Sequence, residues 1–583
     1  LHRGAAVLPQ LQTSSGISVI DIGLPTDPSG FADAEWSDVS PFFDQLMEAP
    51  LDLENATEWL ATWSRLEELV GEAATVAMNR YTANTADAEA RAAHIRFSTT
   101  IYPQMQERQS ELSRRFLALG WTRPDADVML SEMRTDVELF REENVPLFAE
   151  LEELDAKYQE LTGGLGVDWD GERKTIPQLQ PFLKSPDRSV RERAFRAGMG
   201  AYLGNREELA DIFDRMYELR QAVARNAGFP DYEKYVFRAK HRVGYGPDDC
   251  RRFHDAVVEA VVPVAGRLLE RRRRRLGLTT VRPWDLGVDP DGAEPLKPFE
   301  TVSEFIERGE RVFGGVDSQF GAFFRTMAEE GLLDLESRPG KAPGGYCTTL
   351  PFKGMPYVFM NAVGVPDDVN TLVHEAGHCF HAFLAQPQPF IWQRGTGSEA
   401  AELASMSMEL LAMPHLERPS GYYEPRDVRR AWVEHLEDIV FALPHIASVD
   451  AFQSWIYTSG KGHDRDERDR AWLEIRSRFE PDVDWSDLDA ERTARWYRQL
   501  HIFLYPFYYI EYGIAQLGAL QVWRDSMADY RSAVNRYKAA LALGGTRPLP
   551  EIYSSAGAKL VFDAAEMSAL MELVERQVEM LEG

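Results

Sequence analysis

Cysteine is nearly missing from this sequence: Cys250, Cys347 and Cys379 are the three in a chain of 583 residues. A disulfide framework is thereby excluded, and the odd count fits a reducing compartment with the thiols as small buried apolar groups. Positive charge is also short, since 64 lysines and arginines stand against 93 aspartates and glutamates, for a net charge of −29. A field of that sign argues against nucleic acid and against an anionic membrane as partners. Its plain use is solubility, and its sharper use a preference for cationic substrates. No unbroken apolar run reaches the ~18 residues of a bilayer span, so none is expected. Leu1 to Ser15 lacks the apolar core of a signal peptide. The chain does not open on Met, which is compatible with a leader removed upstream, and the cytoplasm is the expected compartment. With 44% apolar and 27% charged residues, disorder, collagen-like and low-complexity classes are ruled out. The length suits two to four domains or one large multi-lobed helical body.

Helical periodicity dominates. Trp59, Trp63, Leu66 and Val70 form one apolar stripe at helical spacing, and Leu147, Leu151, Leu154 and Tyr158 form another. Asn144 with Pro146 opens one helix, and Ser185-Pro186-Asp187 is read as opening another, with Pro in the first turn. Thr162 to Gly171 reads as a loop or short hairpin, and residues 279–300 as an irregular connection. A lobe boundary is expected near residue 185, giving an N-terminal helical lobe over 1–185 and a second region over 186–583. The one basic run, Arg271 to Arg275, points all round a helix and reads as a solvated face with salt bridges. Strand signal is scarce. Its best case is Tyr346 to Leu350 and Tyr357 to Asn361 around a turn at Lys353-Gly354, a hairpin just before the residues that carry chemistry.

Those residues begin with His374-Glu375-Ala376-Gly377-His378, an HExxH pattern on a helical stretch. Histidines four apart stand one above the other, so His374 and His378 can aim two imidazole nitrogens at one metal ion, with Glu375 placed to hold a water. Tetrahedral catalytic zinc asks for a third protein ligand. A second helical stretch from Thr396 offers Glu399, Glu402 and Glu409. Thr396 and Glu399 fit a capping box, which leaves Glu402 as the ligand. Glu409, two turns further on, suits a partner that holds a ligand histidine. His381 would close the site as a fourth ligand, so it reads as supporting, substrate-facing or simply packed. Further on, His501, Tyr505, Tyr508 or Tyr509, and Tyr512 fall on one helical stripe, with donors suited to the oxyanion of peptide hydrolysis. Phe503 and Phe507 read as packing.

Taken together, the sequence resembles the oligoendopeptidase F branch of the thimet-type zinc metallopeptidases, close to the Pz-peptidase-like bacterial oligopeptidases. The resemblance covers most of the chain beyond about residue 190. It runs through Gly344-Gly345-Tyr346-Cys347, Phe359-Met360-Asn361, the extended HEAGHCFH stretch and Glu402-Leu403-Ala404-Ser405. It continues through Val449 to Gln453, Pro506 to Tyr509, Gly544 to Arg547 and Leu549-Pro550-Glu551. It implies a mostly α, multi-helical, two-lobed body around a deep substrate channel, with a small β-hairpin or sheet beside the HExxH helix. One Zn2+ per chain would be held by His374, His378 and Glu402, with Glu375 as general base and Glu409 and His381 behind the ligands. His501, Tyr509 and Tyr512 would serve the oxyanion, and Tyr346, Tyr505, Tyr508, Gly344 and Gly345 the substrate. His501 lies one residue closer to the tyrosines than in thimet-type enzymes, and the choice between Tyr508 and Tyr509 stays open. The expected activity is a zinc-dependent endopeptidase acting on oligopeptides. The alternatives are a dipeptidyl- or carboxypeptidase of related helical gluzincin type, and a non-catalytic peptide-binding protein with a structural zinc.

Overall fold

The computed structural model describes residues 16–582; the stretch Leu1 to Ser15, read for leader character, lies outside them. Helices carry most of the described residues, and strands form one two-stranded and one three-stranded sheet. The mostly α expectation holds. The chain divides into two compact units, each gathered from three stretches. The first takes the chain up to 138, then 296–428 and 518–560; the second takes 139–295, 429–517 and the residues from 561 on. Residue 185 lies inside the second unit rather than at a border. Units assembled from distant stretches leave no local change of composition at their edges.

In the first unit, helix α1 (Ala56–Ala83) carries the tryptophan stripe. Trp59, Trp63, Leu66 and Val70 are at most 1% exposed and share a core with Phe43, Phe116 and Phe390. The three strands of this unit are β1 (Leu333–Glu336), β2 (Tyr346–Leu350) and β3 (Met355–Ala362), in the order β1-β3-β2. The predicted hairpin is β2 and β3, antiparallel with Tyr346 opposite Phe359 and Leu350 opposite Met355. The turn needs Gly354, whose φ is 68°. Strand β1, parallel to β3, carries the sequence LDLE, too short and too charged to read as a strand. It makes β3 central and leaves β2 as an edge.

In the second unit, Gly166–Trp169 pairs with Glu172–Thr175 across Asp170 and Gly171, both at positive φ, the geometry of a two-residue hairpin turn. The helix Val145–Gly163 starts as predicted, with Pro146 in its first turn. The next start differs: Asp187 caps Arg188–Gly204 by accepting the Ser189 N–H, so Pro186 precedes the cap. The arginine run is a salt-bridged helix face. Arg271 and Arg275 reach Glu582, Arg272 reaches Glu437, and Arg273 and Arg274 share Glu270. Among the described residues one helix, Pro425–Thr458, is long and apolar enough to cross a membrane by length and composition, which run length alone does not reveal; 67% of its apolar window is buried inside the protein.

Candidate metal centre

Helix α2 (Pro366–Ala385) carries the HExxH residues. Its start is fixed by Pro366 in the first turn and by Asp368, whose Oδ2 accepts the N–H groups of Val363, Gly364 and Val365 at 2.7–3.0 Å. It is held in the core by Val369, Leu372, Val373, Ala376 and Phe380, the last stacked on Phe320 at 4.5 Å. Helix α3 (Ser398–Ala412) lies directly against it. A Cβ on Gly377 would sit 2.5 Å from Ser405 Cα and 2.7 Å from the Ala404 carbonyl oxygen. The glycine between the two histidines is thus the condition for the close approach that brings Glu402 over to them. The Tyr537 hydroxyl donates to the Ala404 carbonyl and the Tyr553 hydroxyl to that of Glu399, pinning α3.

The approach produces a cluster. One ligand atom from each of His374, His378 and Glu402 lies within 4.8 Å of the others, the one such group found among the described residues. Glu402 Oε2 is 3.4 Å from His374 Nε2 and 3.9 Å from His378 Nε2. The two imidazole rings are 5.0 Å apart and nearly perpendicular, at 85°. His374 Nδ1 donates to Glu409 Oε1 at 2.6 Å, and the Ser405 hydroxyl donates to Glu402 Oε2 at 3.1 Å. Two imidazole nitrogens and a carboxylate, each ligand with a supporting polar contact or a packed helix behind it, are the donor set that fits a catalytic zinc with one position left open.

Burial shapes the charges here. Burial opposes a charge on His374, but Glu402 and Glu409 outweigh it and raise its pKa well above the ordinary imidazole value. His378 is pushed down to about 4 by burial and by the His374 charge, so it is neutral, the form that ligates. Glu375 accepts the Cys347 N–H of β2, and its carboxyl is pushed up to about 7, chiefly by burial, with His374 pulling it back. Cys347 Sγ also touches Cys379 Sγ at 3.5 Å. Cys250 and Cys379 are buried as expected, whereas Cys347 is only half-buried.

Some predicted details differ. The Thr396–Glu399 capping box does not form, because Gly397 takes the cap position and no side chain caps the helix; Glu399 is instead a buried helix carboxylate. His381 is buried, and its Nε2 has no hydrogen-bond partner. The Tyr346 ring stacks on Phe359 at 4.8 Å and its hydroxyl bonds Thr82 and Asn79 of α1, so the side chain anchors β2. Gly344, at φ 97°, and Gly345 lead into that strand, held by Asn361 Nδ2 donating to the Gly344 carbonyl. Ser405 lies three residues after Glu402, but nothing in the sequence marks it as a contact of that carboxylate.

The remaining predicted residues belong to the second unit and gather there. They do not form a helical stripe. His501 is in a one-turn helix (Leu500–Phe503), Pro506 follows, Phe507 is left-handed at φ 62°, and a new helix starts at Tyr509. Phe507 is held in that conformation by its N–H to Gln453 Oε1 at 2.8 Å and by Arg242 on its carbonyl. The break folds the tyrosines around His501, whose ring centre is 4.7 Å from Tyr509 and 6.0 Å from Tyr505, Tyr508 and Tyr512. Phe503 and Phe507 are fully buried packing, as predicted. Tyr505 is 54% exposed.

Residues 182–572, more than half of the chain, match the profile of peptidase family M3. The chain belongs to peptidase family M3. Among its relatives, the oligoendopeptidase F homolog of Lactococcus lactis subsp. lactis (strain IL1403) is 21% identical over 69% of this chain and 65% of its own length. The oligopeptidase PepF of Bacillus subtilis (strain 168) is 23% identical over 71% of this chain and 61% of its own. The chain thus spans just under two thirds of the length of these curated relatives. Among solved structures, Pz peptidase A with an inhibitor superposes with a TM-score of 0.86 at 26% identity, over 94% of this chain and 99% of its own. An oligoendopeptidase-F from Enterococcus faecium shares the fold, with a TM-score of 0.62 at 17% identity over 94% and 97%.

Proposed function

We propose that this family M3 chain is a zinc-dependent endopeptidase that hydrolyses internal bonds of short, unstructured oligopeptides, with one zinc held by His374, His378 and Glu402. The observation that carries the reading is the convergence of those three donor atoms within 4.8 Å, next to a buried carboxylate, Glu375, that is not one of them. A structural zinc would close its fourth position and gain nothing from that carboxylate. When bound, zinc polarises the scissile carbonyl and lowers the pKa of a water molecule. Everything else is work for side chains and backbone. Glu375 takes a proton from the attacking water and passes it to the leaving amine. Glu409 fixes the tautomer of His374. His501, Tyr509 and Tyr512 are assigned as donors to the oxyanion, and Tyr505 and Tyr508 to peptide contact. Edge strand β2, entered through Gly344 and Gly345, offers main-chain groups to an extended peptide. Pairing of that kind tolerates many side chains and requires an unfolded substrate. Oligopeptides are the partner class and the cytoplasm the compartment of this reading.

The test is cleavage of one short peptide in three forms: free, C-terminally amidated, and grafted into a rigid loop of a folded host. The zinc-loaded chain is expected to cut an internal bond of the first two and to leave the third intact, and the chelated chain to cut none. Cutting that requires a free C-terminal carboxylate would assign the chain to dipeptidyl- or carboxypeptidase activity. Zinc binding without any cleavage would make it a peptide-binding protein.

A further inference from the structure

Arg476, on the helix Arg465–Phe479, is fully buried and paired with Glu480; burial, with Arg495 and Arg492 close by, lowers its pKa from the ordinary arginine value, and the guanidinium still offers only N–H donors. Its Nη1 donates to Ser448 Oγ and to His445 Nδ1, the latter at 3.0 Å. Arginine has no acceptor, so His445 accepts at Nδ1 and carries its proton on Nε2. That Nε2 stands 3.2 Å from Gln499 Oε1. The amide oxygen therefore accepts, and the amide nitrogen is turned the other way, 3.1 Å from His501 Nδ1. An amide nitrogen only donates, so His501 accepts at Nδ1 and its proton sits on Nε2. Turning the Gln499 amide over would set its NH2 against the His445 Nε2–H. The polarity of the whole series follows from the one member that cannot be reversed. Burial, with Arg476 and Arg495 close by, holds His445 well below the ordinary imidazole range, so it does not take a second proton. The same Gln499 side chain also bonds Tyr509.

We propose that Arg476, His445 and Gln499 are positioning residues: their hydrogen-bond relay locks His501 in the tautomer that presents Nε2–H, the donor an anionic oxygen of the substrate requires. The catalytic half of this inference rests on the oxyanion role proposed above for His501, and the tautomer half stands without it. Free imidazole exchanges its proton between the two nitrogens, so an unconstrained His501 would spend part of its time with a lone pair where the donor is needed, and turnover would fall accordingly.

The experiment is ring-nitrogen NMR on the zinc-loaded, 15N-histidine-labelled chain at about pH 9, above the imidazole titration range, with His501 assigned by the signal lost in His501→Gln. Wild-type His501 is expected to show a bare Nδ1 and a protonated Nε2. In Gln499→Glu the carboxylate can only accept, so the expected tautomer is the reverse, with kcat lower by about 10²-fold and KM little changed. Gln499→Met, which removes the bond without imposing another, is expected to give a mixture of tautomers and an intermediate kcat. A protonated Nδ1 in the wild type, or an unchanged His501 tautomer in both variants, would overturn the relay. A reversed tautomer with unchanged kcat would support the relay and remove His501 from the oxyanion role.

Discussion

Helix α2 with α3, in the first unit, and the segment His501–Tyr512, in the second, contain polar residues at similar helical spacings, yet they reach their clusters by different routes. In the first, His374 and His378 sit on a continuous helix, and Glu402 meets them because Gly377 lets a second continuous helix come within 2.5 Å of where a side chain would begin. In the second, Pro506 and a left-handed Phe507 break the helix, and the tyrosines converge on His501 because the chain turns. Spacing rules carry directly into geometry where the backbone is regular, and fail one residue past a break. The metal cluster is therefore built from rigid parts. The tyrosine cluster depends on what holds its turn, namely Gln453 and Arg242 on Phe507 and Gln499 on His501.

The sharpest way to press the comparison is on the helix side. Glu375→Gln should keep its zinc and lose at least ~10²-fold in kcat, because the ligands stay and only the proton carrier goes. Near-wild-type turnover in a fully metallated variant would remove Glu375 from the reaction. On the other side, Tyr512→Phe should lower kcat by about tenfold with little change in KM, as expected for a hydroxyl that bonds only the oxyanion. An unchanged kcat would leave Tyr512 as packing around His501.

What was legible in the sequence follows the same division. The two histidines, Glu402 and Glu409 could be read because two regular helices convert residue number into position. The β2–β3 hairpin could be read from its glycine turn. The third strand could not, since Leu333–Glu336 is held by pairing with β3 rather than by any alternation of its own. The assembly of each unit from three distant stretches leaves no trace in local composition. Thr396 and Glu399 have the right spacing for a capping box, yet the backbone places the cap one residue later, at Gly397, and the box does not form. The packing role of Tyr346 was hidden for a related reason: its partners, Asn79 and Thr82, are far away in sequence.

A smaller effect tests the contact between the two helices itself. Gly377→Ala puts a methyl group into the α3 backbone, so the expected cost is about 1–3 kcal/mol of overpacking, read as a lower first transition in thermal unfolding, together with weaker zinc binding. Unchanged stability and zinc affinity would show that the close approach of α2 and α3 is not what assembles the site.

The most direct test of the central claim compares two carboxylates that burial cannot tell apart, since Glu399 and Glu402 are each 5% exposed on the same helix. Only Glu402 has its oxygen among the histidine nitrogens. Metal analysis of the purified variants should find zinc retained in Glu399→Ala and lost from Glu402→Ala, where two histidines alone leave the ion half-held. Full zinc occupancy in Glu402→Ala with loss in Glu399→Ala would contradict the assignment of the third ligand and the account of the site built on it.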